Sequence, residues 1–159
     1  MTNQSSQKVV LAFDVRPRRF GFVVFEGPNQ LLDWGIRSSF PEPSRIPAEK
    51  KVLTLINDFS PSVMVVRERQ GQSDVKVLET LRRQAKERHI ALSFISQREI
   101  MKTFAGAKKN KHEVASALAQ QFSILMSKLP RRQKCWQSED YRMSIFDAAA
   151  AGVAYFRRG

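Results

Sequence analysis

The 159-residue chain has one cysteine, Cys135. It therefore has no internal disulfide, and a cysteine-rich zinc site is excluded. No apolar run approaches the roughly 18–20 residues that a membrane-spanning helix needs. There is no internal repeat and no low-complexity tract. Acidic residues are scarce: 15 Asp and Glu stand against 27 Lys and Arg, for a formal net charge of +12. That surplus favours a polyanionic partner, most often nucleic acid. The start, Met1–Gln7, is polar, and Val9–Phe13 is too short for a signal-peptide core. Residues 1–7 are expected to form a flexible tail on a single domain spanning 1–159, with a cytoplasmic location and no membrane partner.

What is present is an alternation of strand and helix patterns. Lys8–Val15 (KVVLAFDV) and Phe20–Phe25 (FGFVVF) are β-branched and aromatic runs of strand length. Gly27-Pro28-Asn29 is turn chemistry, and Leu31–Ser38 completes an antiparallel meander. Val52, Leu55, Ile56 and Phe59 have helical spacing over Ala48–Phe59, and Pro61 stops that helix. Ser62–Val66 (SVMVV) reads as a buried parallel strand. A helix over Asp74–His89, a strand at Ile90–Ile95, and helices at Gln97–Phe104, Lys111–Leu129 and Asp140–Phe156 follow. Three hairpin-linked strands and then α/β alternation predict an α/β fold with a five-stranded mixed sheet flanked by helices.

Three of the scarce carboxylates sit where apolar structure ends or turns inward. Asp14 closes the first strand, Glu68 closes the fourth, and Asp147 lies within the apolar stretch Met143–Ala151. Burying such a group is costly unless it is paired or binds a metal. If the first and fourth strands are neighbours, their ends bring Asp14 and Glu68 together, and Asp147 joins them from the last helix. Three converging carboxylates suit hard divalent cations, Mg²⁺ or Mn²⁺. Two such ions support hydrolysis of a phosphodiester. Each acid also has a plainer reading: a turn residue for Asp14, an ion pair with Arg67 or Arg69 for Glu68, and a helix cap for Asp147.

The chain resembles the RuvC family of Holliday-junction resolvases, within the RNase H-like superfamily. The resemblance runs from about Lys8 to Phe156. It rests on LAFDVRPRRFG, with Asp14 and Gly21; on VMVVRE, ending in Glu68; on MKTFAGAKKNKHEV, with Lys102, Gly106, Lys111 and Val114; and on SIFDAAAAGVAYF, with Asp147. The resemblance implies an RNase H-like fold in which Asp14, Glu68 and Asp147 hold two Mg²⁺, Mn²⁺ substituting. Lys111 would join them as a catalytic residue, with Lys102 in support. It also implies a homodimer that cleaves branched DNA, because a four-way junction is nearly two-fold symmetric. The helix Asp74–His89 is the candidate dimer face. The chain departs from the family in Asp14-Val15-Arg16, where Asp-Pro-Gly is usual, and in Ser144, where a fourth acid or a His is usual. Asp140 or Glu139 is the candidate to compensate, Asp140 being seven residues before Asp147 and so on one face of a continuous helix. Arg69-Gln70-Gly71 replaces the aromatic or apolar residue that some resolvases carry after the Glu.

Basic residues cluster around these motifs. Arg16, Arg18 and Arg19 follow Asp14, Arg69 follows Glu68, and eight Lys or Arg lie between Lys102 and Lys134 against the single acid Glu113. The candidate nucleic-acid contacts are Arg16, Arg18, Arg19, Arg69, Lys102, Lys108, Lys109, Lys111, Arg131 and Arg132, with solvated charge as the plainer reading of Lys108 and Lys109. Phe104 and Trp136 either pack or stack on bases, and His112 is a weak phosphate candidate. The expected function is a metal-dependent, structure-selective endonuclease acting on branched DNA. The alternatives are a nucleic-acid-binding module that has lost its chemistry, and an RNA-processing nuclease like the YqgF proteins, which share the superfamily fold.

Overall fold

A computed structural model describes residues 8–38, 46–69, 71, 73–104, 110–134 and 137–158. The elements are β1 (Val9–Arg16), β2 (Arg19–Glu26), β3 (Leu31–Ser38), α1 (Ala48–Phe59), β4 (Val63–Arg67), α2 (Val75–Glu87), β5 (Ala91–Ile95), α3 (Gln97–Thr103), α4 (Lys111–Gln121), a 3₁₀ helix at Ser123–Lys128, and α5 (Met143–Arg157). The single helix expected over Lys111–Leu129 is two pieces. Phe122 leaves helical geometry (φ −117°, ψ 85°), and its ring packs edge-on against Phe25 at 5.9 Å. Burial of that ring outweighs continuation of the helix. The last helix starts at Met143, not Asp140. The Asp140 carboxylate accepts the Arg142 N–H at 2.9 Å, which closes a turn ahead of the helix.

The strands form one five-stranded sheet in the order β3-β2-β1-β4-β5. β1, β2 and β3 pair antiparallel, whereas β1, β4 and β5 run parallel. Both faces are covered. Leu11, Phe13, Phe20, Phe22, Met64 and Val66 pack under α1 and α2. Val10, Ala12, Val23, Phe25, Val63 and Val65 pack under α3, α4 and α5. Odd and even positions of β1 thus enter different cores, as the two-residue period of a strand requires. Each large apolar side chain buried this way contributes about 1.5–3 kcal/mol. The outer positions of α2 include Lys76, Glu79, Arg82, Arg83, Lys86 and Glu87, all exposed, while its apolar stripe is committed to the core. No helix among the described residues is long and apolar enough to cross a membrane.

Two glycines let α5 lie close on the sheet. A Cβ at Gly21 would collide with the backbone and side chain of Ser144, and one at Gly152 with the Phe25 ring. Gly21 pairs with Asp14 across the hairpin, so its bare backbone fixes how near the first turn of α5 comes to the end of β1. Gly21→Ala is expected to destabilise the fold by about 1–3 kcal/mol through overpacking. Gly71→Ala is the control, because a Cβ there meets nothing within 4 Å. Urea unfolding of the two variants checks this; equal midpoints would mean that α5 yields freely.

Candidate functional site

Asp14 and Asp147 are brought together at the C-terminal end of β1. Asp14 is even-numbered on β1 and so faces α5, where it is fully buried; Asp147, on the second turn of α5, is 6% exposed. Ser144, one turn earlier, donates its hydroxyl to Asp14 Oδ2 at 2.9 Å.

Arg16 lies between the two acids. It is two residues beyond Asp14 on the same strand face and only 7% exposed. Its Nε donates to Asp14 Oδ2 at 2.7 Å, and its Nη2 donates to Asp147 Oδ2 at 2.7 Å. Its Nη1 reaches Glu139 Oε1 at 2.7 Å. Burial works against this charge, but Asp14, Asp147 and Glu139 outweigh it and hold the guanidinium above its ordinary value. Lys111 Nζ, at the start of α4, donates to Glu139 Oε2 at 2.9 Å and to Asp147 Oδ2 at 3.2 Å. Burial pushes the Asp147 carboxyl above its usual range, with Asp14 adding to the push and Arg67, Lys111 and Arg16 opposing it. Burial also works against the Glu139 charge, but Lys111 and Arg16 prevail and hold that carboxyl low.

Glu68 does not join this centre. Phe13 pairs with Val66 in the parallel ladder, so the next step sets Arg67 beside Asp14. Glu68 instead is exposed and lines a cavity on the α2 side of the sheet. Arg67 Nη1 stands 3.7 Å from Asp14 Oδ1 and 3.9 Å from Asp147 Oδ2. Its Nη2 donates to Gln97 Oε1 at 2.7 Å, while its buried Nε has no hydrogen-bond partner among the described residues. Charge more than hydrogen bonding holds Arg67 here. Arg69 Nη1 comes within 3.3 Å of Asp14 Oδ1.

The other expected residues are dispersed. Asp140 lies ahead of α5 and pairs with Arg142 at 2.8 Å, not with Asp147. Lys102 is exposed on α3. Arg18 and Arg19 sit at the tip of the β1–β2 hairpin, where Pro17 and a left-handed Arg18 (φ 63°) give the signature of a type II turn. Arg131 and Arg132 line an open cavity with Lys111 and His112. The His112 ring bonds the Pro130 carbonyl at 3.2 Å, tying that loop to α4. Phe104 is buried in the core. Lys108, Lys109, Gly106, Cys135 and Trp136 lie outside the described residues.

The expected pair of Mg²⁺ ions, or Mn²⁺, does not fit this donor set. Asp14 Oδ2 and Asp147 Oδ2 each accept from Arg16. Four cations, Arg16, Arg67, Arg69 and Lys111, face three carboxylates, Asp14, Asp147 and Glu139. The cluster is net positive before any ion arrives. Among the described residues, no three His, Cys, Asp or Glu converge closely enough to hold a metal. Arg16 and Arg67 are the site residues that the motif reading missed as such. Arg16 carried a signal in its two-residue spacing from Asp14; Arg67 carried none, because an unbroken apolar strand does not reveal which face its last residue takes.

No family model and no curated protein sequence matches the chain. Solved structures do. Thermus thermophilus RuvC in complex with a Holliday junction substrate superimposes with a TM-score of 0.68 at 19% identity, over 94% of each chain. The fowlpox virus resolvase, solved with Holliday junction DNA, gives 0.55 at 13% identity, over 92% of this chain and 97% of that one. The yeast mitochondrial Holliday junction resolvase gives 0.53 at 15% identity, over 96% and 80%. The chain thus has the RNase H-like fold of the RuvC-like resolvases.

Arg16→Gln strips the shared cation from two buried acids and is expected to cost about 3–5 kcal/mol in urea unfolding. The unchanged protein is expected to melt at the same temperature in Mn²⁺ as in sodium salt of equal ionic strength. The double variant Arg16→Gly, Arg67→Glu is expected to gain a Mn²⁺-dependent rise in Tm, since binding to the folded state alone stabilises it. A Mn²⁺-dependent rise in the unchanged protein would overturn the fit argument. Glu139, held below its ordinary value of 4.5, stabilises the fold when ionised. That contribution is full above 4.5 and is lost as pH falls through the folded-state value. The stability gap between the protein and Glu139→Gln is therefore expected to be flat near neutrality and to close on acidification, as Tm against pH would show.

Proposed function

We propose that the chain is a branched-DNA-binding protein on a resolvase scaffold that holds its substrate without metal-assisted incision. The observation that carries this is the buried Arg16 guanidinium bridging Asp14 and Asp147 at 2.7 Å to each. Bare carboxylates would repel a DNA phosphate. With Arg16, Arg67, Arg69 and Lys111 around them, the same place attracts one. Arg18 and Arg19 at the hairpin tip, and Arg131 and Arg132 beside Lys111, extend the basic surface to either side, where phosphate contacts set register and orientation. The structures of RuvC and of the fowlpox resolvase with Holliday junction DNA support a branched substrate over a linear one. A homodimer matched to the near two-fold symmetry of such a junction belongs to this reading. The charged outer side of α2 does not favour that helix as its face.

The test is one experiment with three substrates: a four-way junction, a matched linear duplex and a structured RNA, each with Mg²⁺, Mn²⁺ or EDTA. The expected result is preferential junction binding that EDTA leaves unchanged, with no nicks on a denaturing gel. Each phosphate contact should add about −0.9 to the log–log salt slope, so Arg131→Ala with Arg132→Ala is expected to flatten it. Paired metal-dependent nicks that Asp14→Asn abolishes would instead establish the endonuclease. Preference for the RNA would move the reading to RNA processing.

A further inference from the structure

A second candidate site adjoins the carboxylate centre and shares Arg67 and Arg69 with it. β4 and β5 are parallel neighbours, and the chain leaves them on opposite faces. After β4 it enters α2, whose Val77, Leu81 and Ala85 pack in the core with Phe13 and Met64. After β5 it enters α3, whose Ile100 packs in the other core, with Phe25 and Ala148. Connections that diverge in this way open a crevice beyond the carboxyl ends of the strands, the place where open α/β sheets bind ligands. The crevice is present as an open cavity of about 520 Å³, within the size range of small-ligand pockets.

Its chemistry is specific in kind. Leu78 and Phe94 give it an apolar wall, and Arg67, Arg69, Arg82 and Arg98 line it with positive charge. The Arg82 guanidinium lies over the Phe94 ring, 5.4 Å from its centroid. Guanidinium and aromatic side chains are the groups against which unpaired nucleobases pack. Glu68 also lines the cavity, and its exposed carboxylate supplies the acceptor that a base-edge N–H donor needs. A sugar phosphate alone would use the arginines and leave the apolar wall and Glu68 without a role. A simple apolar ligand would make no use of Arg82 and Arg98, the two lining arginines that do not face Asp14.

We propose that this crevice receives a single unpaired nucleotide of the bound strand, with its phosphate on the arginine rim and its base against Arg82 and Phe94. The proposal rests on the nucleic-acid-binding reading for its biological context, but the site can be tested alone. Isotope-labelled protein would be titrated with deoxynucleoside monophosphates and, separately, with deoxyribose 5-phosphate, following amide shifts. Saturable shifts at Ser73, Phe94 and Ser96–Arg98 are expected with the nucleotides, at roughly tenfold higher affinity than with the sugar phosphate. Arg82→Ala is expected to remove that preference. Equal shifts with both ligands, or none with either, would overturn the proposal.

The second arm uses DNA. A junction carrying one unpaired nucleotide at its branch point is compared with the same junction carrying an abasic residue there. The base-bearing form is expected to bind roughly tenfold more tightly, and Arg82→Ala is expected to abolish the difference without changing affinity for the fully paired junction. If Arg82→Ala weakens all three junctions equally, Arg82 is a phosphate contact and the crevice is not a base site. If no junction binds at all while the nucleotide titration succeeds, the branched-DNA reading fails and the nucleotide site stands.

Discussion

Two carboxylates buried beside each other cannot both remain charged without a cation between them, and in this protein the cation is covalently part of the chain. Arg16 is carried by the strand that carries Asp14, and it reaches Asp147 on the last helix. The desolvation of each buried ion is worth several kcal/mol, so the three groups are stable only as a set. That requirement fixes the approach of α5 to β1, which Gly21 makes sterically possible. It also sets where Glu139 and Lys111 settle around the rim. A guanidinium and a divalent metal satisfy the same electrostatic demand, but a guanidinium brings no exchangeable water and no open coordination position.

The order of elements was almost fully legible in the chain. Hairpin-length strands, turn residues and helical spacing of apolar side chains are local signals, and the mixed sheet follows from their sequence. The divided helix at Phe122 and the late start of α5 were not legible, because each depends on a contact made elsewhere: the Phe25 ring in one case and a side-chain turn at Asp140 in the other.

The site was legible in part. Asp14 and Asp147 are conspicuous as acids in apolar surroundings, and the structure places them together. Glu68 was conspicuous for the same reason, yet it faces the other way. Val63–Val66 is apolar on both faces, so nothing in its pattern fixes which side residue 67 takes; only the pairing of Phe13 with Val66 does. Arg16 looked like one more basic residue of a nucleic-acid surface. Its burial follows from strand alternation combined with the arrival of α5, and the second of these is a tertiary fact.

The Arg16–Asp147 contact joins residues 131 positions apart. The hairpin that presents Asp14 and Arg16 precedes in synthesis the helix that completes their neutralisation. Until α5 docks, one face of β1 and β2, with Val10, Ala12, Val23 and Phe25, has no cover from it. Joining β1 to α5 is a contact of high sequence separation, the kind that forms slowly. The Arg16 clasp between the two acids therefore also marks the closing of the second face of the sheet.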